Sequence, residues 1–584
     1  MRENDIVFLN LHRRYTNSSP RYGGFLGIYL LAAFVNSNGY AGQAFAGTLH
    51  NGRKIVDELC KQNKVKIIGL YCDYANVTEN VYLSAYIKEK YKLPVLIGGP
   101  QATSLTKDFL VKSKADAIIR YEGELTVLEL LDFYLDNTGA LTDIAGISYL
   151  ADGKVMINKE RPLIENLDAL PFVDEDCYLL PRHDWRELSI MTGRGCPFHC
   201  SFCHEGGHTQ KVRFRSVENV LAEIDAYMEA HPYQKNIHIL FTDDAFTLNV
   251  ERVKRICDGL KERRKKIPFF WFCEGHVHTL KMHPEMIDYI ADAGAQRIQL
   301  GIEAGTDKVL QAYHKNTTTE EIKEVVALCR DAGIQQVYGN IILGSAFFSK
   351  DRYEKDLQFA KDLLTIGKGC LELGVVTYWP LPETELTNHP DRYDLQILDY
   401  DFYTSADDFP QTATDGLDCW DILKLHRRME HEIQKHMIDM LKNNEVPLER
   451  LLSWYPSDIA FKSYGLWWQA LQHLPELFAY GEMLSLEEGI RSTDISTDEW
   501  DMAIPLRVLP INKYMEIDDK GEKYYAGQKL SEQECHVLRL SAGRRTIQEI
   551  YHELEFDGIL STADDLKSIL NHLERMHFIV YAQE

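Results

Sequence analysis

Three of the twelve cysteines stand close together in the run Met191-Thr192-Gly193-Arg194-Gly195-Cys196-Pro197-Phe198-His199-Cys200-Ser201-Phe202-Cys203. The CxxxCxxC spacing of Cys196, Cys200 and Cys203 lets one short loop wrap three thiolates around a cubane iron–sulfur cluster, one thiolate per iron. The fourth iron then stays open and can chelate an amino and a carboxylate group. Gly193 and Gly195 free the backbone where an apolar strand ends, a feature that three merely buried cysteines would not need. Zinc is the competing metal, with His199, His204 or His208 as the fourth donor. The remaining cysteines are scattered, Cys370, Cys419 and Cys535 among them, so the sequence predicts one cluster only. Scattered thiols in a large chain fit a reducing, cytoplasmic setting.

The elements that must hold this loop can be read from apolar periodicity. Residues 1–150 alternate short strands with helices: strands at Ile6–Leu9, Val65–Leu70, Val95–Ile97 and Ala117–Ile119, helices near Gly27–Phe34 and Val81–Tyr91. That alternation predicts a doubly wound parallel sheet, with its ligand site at the carboxyl ends of the strands. Ile147–Leu150 and Val155–Ile157 flank Asp152-Gly153 and read as a hairpin. Residues 151–186 read as a linker. A second series spans 187–385, with strands at Leu188–Thr192, Ile237–Thr242, Phe269–Cys273, Arg297–Leu300, Val337–Leu343 and Val375–Tyr378. Six such βα units predict a partial parallel barrel whose site lies at the strands' carboxyl ends. Residues 386–505 read as a helical, tryptophan-rich extension holding Trp454, Trp467, Trp468 and Trp500, with a long helix near Cys419–Asn443. Residues 506–584 read as a winged helix-turn-helix: two strands around Asp518–Gly521, helices at Ser531–Leu540, Thr546–Glu553 and Ala563–Met576, and a last strand at Phe578–Tyr581.

Composition bounds the function. The 584 residues suffice for about four domains. The net charge of -24 argues against a general affinity for nucleic acid or anionic membrane. The longest apolar run, Phe25–Val35, is half a membrane span. Arg13, Arg14 and Arg21 before it and Ala44-Phe45-Ala46 after it imitate a signal peptide. The strand at Ile6–Leu9 makes the run the first helix of a βα unit instead.

The cysteine loop resembles that of the radical S-adenosylmethionine (SAM) family, and the resemblance covers roughly residues 60–390. It implies that Cys196, Cys200 and Cys203 ligate a [4Fe-4S] cluster. SAM would chelate the free iron and be cleaved by one electron to a 5′-deoxyadenosyl radical that abstracts hydrogen from substrate. Phe202 matches the aromatic whose backbone meets adenine. Thr242-Asp243-Asp244 stands where the family often has Gly-Gly-Glu; the resemblance implies that Asp243 or Asp244 accepts the methionine ammonium, although an acidic helix start explains either alone. Gly301-Ile302-Glu303-Ala304-Gly305 looks like the family's Gly-Ile-Glu-Ser-Gly, which implies that Glu303 reaches SAM. Gly339–Gly344, with Asn340 and Ile341, matches the segment that packs on adenine, and Tyr378–Leu386 the segment that closes the barrel. An electron donor such as flavodoxin or ferredoxin is implied as partner.

The first domain resembles the Rossmann-like module of the cobalamin-binding subclass. Val95-Leu96-Ile97-Gly98-Gly99-Pro100-Gln101-Ala102-Thr103 matches its glycine turn, and Arg120-Tyr121-Glu122-Gly123-Glu124 its acidic turn. The resemblance implies a corrin site bordered by Tyr71, Gly98, Gly99, Gln101, Thr103 and Glu122. Glycine lets backbone approach a large ring. An Asp-x-His-x-x-Gly motif is missing, since Thr48-Leu49-His50-Asn51-Gly52 does not match, so cobalt would lack a histidine ligand. A nucleotide-binding or packing role for the glycine turn stays open.

Residues 506–584 resemble the PqqD-like peptide-recognition domain of ribosomal-peptide maturation. The matching residues are Leu530-Ser531-Glu532, Ala542-Gly543-Arg544-Arg545-Thr546 and His572–Phe578. This implies a precursor leader pairing with an edge strand near Lys513–Ile517. The implied enzyme is a cobalamin-dependent methyltransferase, or an enzyme of rearrangement, acting on such a peptide. The alternatives are a cobalamin-free peptide cyclase or epimerase and, from another class, a zinc- or peptide-binding regulator. No residue is assigned a catalytic role.

Overall fold

Short β-branched runs flanked by helices build the first sheet. The computed structural model describes residues 2–12, 26–182, 185–204, 211–398, 409–414, 416–443, 445–446, 465–471, 490–491, 500–576 and 578–582. Strands β1 (Asn4–His12), β2 (Gly42–Thr48), β3 (Val65–Tyr71), β4 (Val95–Gly98) and β5 (Ala117–Ile119) lie parallel in the order β2-β1-β3-β4-β5. Helices α1 (Leu26–Ser37), α2 (Leu49–Lys61), α3 (Val77–Lys90), α4 (Pro100–Ser104), α5 (Thr106–Ser113) and α6 (Glu124–Leu135) cover its two faces, each face with its own apolar core. The strand order reverses between β1 and β3, which opens a crevice at their carboxyl ends.

Two features differ from the sequence expectation. Ala44-Phe45-Ala46 lies inside β2, and α2 follows it, capped by the Thr48 hydroxyl, which accepts from Asn51 N. This βα unit escaped the reading because half of β2 is glycine and alanine and α2 is polar over most of its surface. The sheet also continues beyond residue 150: β6 (Ile147–Ala151) and β7 (Lys154–Ile157) add an antiparallel hairpin to β5. The Asn158 side chain fastens its end to the carbonyls of Leu141 and Ile144. The segment 151–186 therefore begins as sheet rather than as linker.

The second sheet contains β8 (Glu187–Ile190), β11 (Ile237–Phe241), β12 (Phe269–Gly275), β13 (Arg297–Leu300), β14 (Gln336–Leu343) and β15 (Leu371–Thr377), all parallel and in sequence order. Among the described residues β15 does not pair with β8, so the barrel is partial, as its six-unit pattern predicts. Between β8 and β11, β9 (Gly193–Arg194) pairs antiparallel with β10 (Arg213–Phe214) and frames the cysteine loop. The helices Val217–Ala230, Val250–Arg264, Thr319–Asp331 and Lys350–Gly367 each start at a Ser, Asn or Thr side-chain cap. Trp271, fully buried at the centre, donates its indole N–H to Ala293 O at 3.1 Å.

Beyond the barrel, β16 (Leu395–Ile397) pairs with β17 (Thr412–Thr414). The long helix Cys419–Lys442, opened by an Asp418/Asp421 capping box, packs on β15 and on the helix Lys350–Gly367. Buried Trp467 donates to Leu371 O at 2.7 Å; Trp454 lies outside the described residues. The C-terminal unit holds β18 (Ile490–Arg491), β19 (Ile504–Arg507), β20 (Met515–Ile517), β21 (Lys523–Tyr525), β22 (Gln528–Leu530) and β23 (Ile579–Ala582) in two three-stranded sheets. Its helices Glu532–Leu540, Ile547–Phe556 and Ala563–Arg575 all open on capping boxes. Strand β19 straddles the expected boundary at 505/506. Among the described residues no helix is long and apolar enough to cross a membrane.

The C-terminal unit docks on the first domain through a buried ion pair, Arg544 Nε to Glu79 of α3 at 3.3 Å. Removing one partner of such a pair leaves a buried charge uncompensated, at a cost of about 3 kcal/mol. Arg544→Ala should therefore lower the thermal unfolding midpoint by several degrees, and an unchanged midpoint would show that the pair does not hold the unit in place.

Candidate functional site

The cysteine loop is pinned from three sides. Ser201 donates its backbone N–H to Tyr313 O at 3.1 Å and its hydroxyl to Ala312 O at 2.9 Å, while Leu386 N donates to Ser201 O. The Phe202 ring meets the Tyr313 ring edge-on at 4.9 Å, and Phe198 stacks on His276 at 3.7 Å. Cys203 N donates to Cys200 O at 3.0 Å, which curls the loop so that the three thiols influence one another. Burial pushes the Cys200 thiol up to about 11 and also raises Cys196, while the Lys315 ammonium opposes both shifts. Metal binding must reverse that protonation. Among the described residues no three His, Cys, Asp or Glu side chains converge where one metal ion could sit. A four-iron cube spreads its thiolates more widely than a single zinc does. Of the proposed fourth zinc donors, His199 is exposed, His204 is bonded to Ser104 Oγ (3.2 Å), and His208 lies outside the described residues.

Beside the loop, the carboxyl ends of β11, β12 and β13 bring together Asp244, Glu274 and Glu303 around one buried cation, Lys315. Lys315 Nζ lies 3.2 Å from Glu303 Oε1. Burial alone would push the ammonium down, but Glu303 and the thiols of Cys200 and Cys203 hold it above its usual value. Glu303 has a left-handed backbone, φ 61°, uncommon for a non-glycine residue. It is held there by β14: Glu303 N donates to Asn340 O, and Ile342 N donates to Glu303 O, both at 2.8 Å. Glu274 accepts from Gln299 Nε2 at 3.2 Å and is pushed up to about 7, first by burial and then by Asp244 and Glu303. Three carboxylates against one ammonium make a cleft suited to a cationic ligand.

The structure sorts the sequence candidates. Asp244 faces the cleft, whereas Asp243 is buried and committed to Thr192, accepting from its N at 2.5 Å and from its hydroxyl. Burial pushes Asp243 up to about 6, against the pull of those two bonds. Of the pair, Asp244 is the exposed one, its carboxylate engaged by the Gly195 backbone at the start of the cysteine loop. Asn340 Oδ1 accepts from the Tyr338 hydroxyl at 2.8 Å, and the fully buried Ile341 side chain offers only its backbone to the site. Glu274, Lys315, Gln299 and His276 were missed: none lies in a recognisable motif, and only the β12 and β13 strand ends pointed to the first and third.

In the first domain, Tyr71, Gly98, Gly99 and Thr103 border a cavity of about 420 Å³ at the switch point. The cavity also takes in Met191, Gly193, Arg194, Gly195, His204 and Asp244, so it is shared with the cysteine loop. Gly99 has φ 109°, and a Cβ there would lie 2.4 Å from Cys72 O; at Gly98 the nearest atom to an added Cβ is 3.5 Å away. Gly99 is thus required by the turn, while Gly98 has room beside it. Gln101, within α4, is buried and does not line the cavity. Glu122 lines it, but its carboxylate is engaged by Arg194 (3.0 Å), Arg213 (2.8 Å) and Ile164 N (2.8 Å). It is a wall residue with its charge already paired, not an open ligand. Arg194 also pairs with Glu124.

Residues 190–355 match the family model of the radical SAM superfamily. An uncharacterized methyltransferase of Pyrococcus horikoshii is 30% identical over 49% of this chain; the chain spans 59% of that relative's length. The anaerobic magnesium-protoporphyrin IX monomethyl ester cyclase of Rubrivivax gelatinosus is 24% identical over 67% of this chain and 70% of its own. Among solved structures, the radical SAM methyltransferase TsrM of Kitasatospora setae, with cobalamin and a [4Fe-4S] cluster bound, superposes with a TM-score of 0.55 at 14% identity, over 68% of this chain and 77% of its own. That likeness establishes the shared α/β architecture.

Glu274 gives the cleft a pH dependence with a definite sign. Below about pH 7 it is protonated and contributes no negative charge; above, it ionises and strengthens attraction for a cation. The affinity for SAM, followed by equilibrium dialysis, should rise between pH 6 and 8. Glu274→Gln should weaken binding at pH 8 and abolish the rise, and a variant that keeps the full slope would exclude Glu274 as its source.

Proposed function

We propose that this protein is a cobalamin-dependent radical SAM enzyme that transfers a methyl group to an unactivated carbon. The observation that carries the reading is the single cavity shared by the glycine turn of the first sheet and the cysteine loop of the second. When bound, the cluster and SAM supply a carbon radical by one-electron cleavage of SAM, and the corrinoid supplies the methyl group. Cys196, Cys200 and Cys203 hold the irons. Asp244, Glu274 and Glu303 take the positively charged end of SAM, with Lys315 fixing the Glu303 carboxylate. Phe202 and the Asn340–Ile341 backbone wall the adenine side. Gly98, Gly99, Tyr71 and Thr103 line the part of the cavity that would hold the corrinoid. His204, the one histidine among the described cavity-lining residues, is engaged by Ser104 Oγ of α4 at 3.2 Å.

The Rubrivivax relative favours a second reading, ring formation on the same radical machinery. For the substrate we retain a leader-bearing peptide. In support, β20 is an edge strand of its sheet and the unit carrying it is docked to the first domain. Helix Cys419–Lys442 packs beside β20, so a leader must share that edge with it.

Anaerobically reconstituted protein should carry about four irons and cleave SAM to 5′-deoxyadenosine. Replacing the three loop cysteines together by Ala should abolish both. Stoichiometric zinc without iron-dependent cleavage would sink the reading.

The protein should also retain hydroxocobalamin with a spectrum lacking nitrogen ligation. Gly98→Val, which projects a side chain from an otherwise tolerant turn, should block retention. Wild type that holds no cobalamin would remove the methyl donor and leave cyclase or epimerase chemistry. Removing residues 506–584 should spare SAM cleavage but end turnover of a leader-bearing peptide; equal turnover would point to a small-molecule substrate.

A further inference from the structure

The cysteine loop belongs to the second domain, yet the arginine at its start pairs with two carboxylates of the first. Arg194, two residues before Cys196, directs its guanidinium to Glu122 at 3.0 Å and to Glu124, and its side chain is mostly buried. Glu124 is the first residue of α6, where the helix N-terminus already favours a carboxylate. Glu122 is shared with Arg213, which follows the loop and donates to Ile164 O at 2.7 Å. The loop is thus gripped before and after its cysteines by one acidic turn of the neighbouring domain. That turn is itself strained: Tyr121 beside Glu122 has φ 62° and its N–H meets Thr103 Oγ1 of the glycine-turn helix at 3.3 Å. Buried ion pairs of this kind add little net stability but select one geometry, because any misalignment strands a charge away from water. Arginine suits the task, since its planar fork serves two carboxylates where an ammonium serves one.

We propose that Arg194 is a positioning residue: bridging Glu122 and Glu124, it sets the cysteine loop at a fixed distance from the glycine turn of the first domain. The inference deepens the cofactor reading above, which gives the fixed distance its purpose. The bridge itself can be tested in the full chain without cofactors.

Hydrogen–deuterium exchange would be followed across residues 190–204 and 117–127 in wild type, Arg194→Gln, Arg194→Lys, Glu124→Gln and the Arg194→Gln/Glu124→Gln double variant. Each glutamine variant should speed exchange in both segments by about tenfold or more, and Arg194→Lys by less. The double variant should be no worse than Arg194→Gln alone, because that substitution already breaks the pair with Glu124. Wild-type exchange rates in both singles, or effects that simply add, would overturn the proposal. Should Arg194→Gln fail to fold, Glu124→Gln decides alone: faster exchange across 190–204, in the domain opposite the substitution, supports the bridge, and unchanged exchange refutes it. Anaerobic iron loading of the same proteins separates the two claims. A wild type that takes up no iron counts against the cofactor reading, while the exchange rates still judge the bridge.

Discussion

Two parallel sheets can share a ligand site only if their carboxyl ends face each other, and here the Arg194–Glu122–Glu124 ion pairs stand at that meeting. Parallel strands deliver every loop of one kind to one edge. The glycine turn, the acidic turn and the Tyr71 loop leave the first sheet at one edge, and the cysteine loop, Asp244, Glu274 and Glu303 leave the second. Neither edge is a closed site alone. Apposed, they enclose a common cavity lined by Phe8, Leu31 and Leu96 of the first domain and reached from the barrel by Arg194, His204 and Asp244.

The barrel side concentrates ionisable groups under low-dielectric conditions, where each alters the others: burial and like charge raise Glu274, and Lys315 is kept charged by Glu303 and the thiols. A site so biased toward negative charge is incomplete until a cation arrives. The strained Glu303 backbone, tied on both sides to β14, shows the same economy: its carboxylate is aimed by main-chain bonds rather than by a flexible arm.

Much of this was legible in the residues. The strands buried on both faces announced themselves as apolar runs, and the cysteine spacing and the Gly98-Gly99 turn marked both edges of the cavity. Capping residues such as Ser531 and Thr546 placed the C-terminal helices. What escaped notice had physical causes. Strand β2 is built from small residues with weak strand character. The hairpin of β6 and β7 was read from its strands and Asp152-Gly153, but its pairing to β5 is a long-range contact that no local pattern encodes. Asp243 and Asp244 are identical in type and adjacent, so only the fold could tell the one bonded to Thr192 from the one facing the cleft. Lys315 and Glu274 meet over a gap of forty-one residues through strand packing, and no local pattern encodes that. Arg194 and Glu122 both belong to motifs that were recognised, but their pairing is a property of how two domains dock.

Two redox-active centres bound on either side of one cavity would stand at a fixed spacing, and pulsed electron paramagnetic resonance measures that spacing. In wild-type protein loaded with cluster and cobalamin, with the cluster reduced to its paramagnetic 1+ state and the corrinoid held as cob(II)alamin, the two unpaired spins should be strongly coupled and give one narrow, short separation. Magnetically independent centres, or a broad spread of separations, would contradict a shared site and mean that the two domains bind their ligands apart.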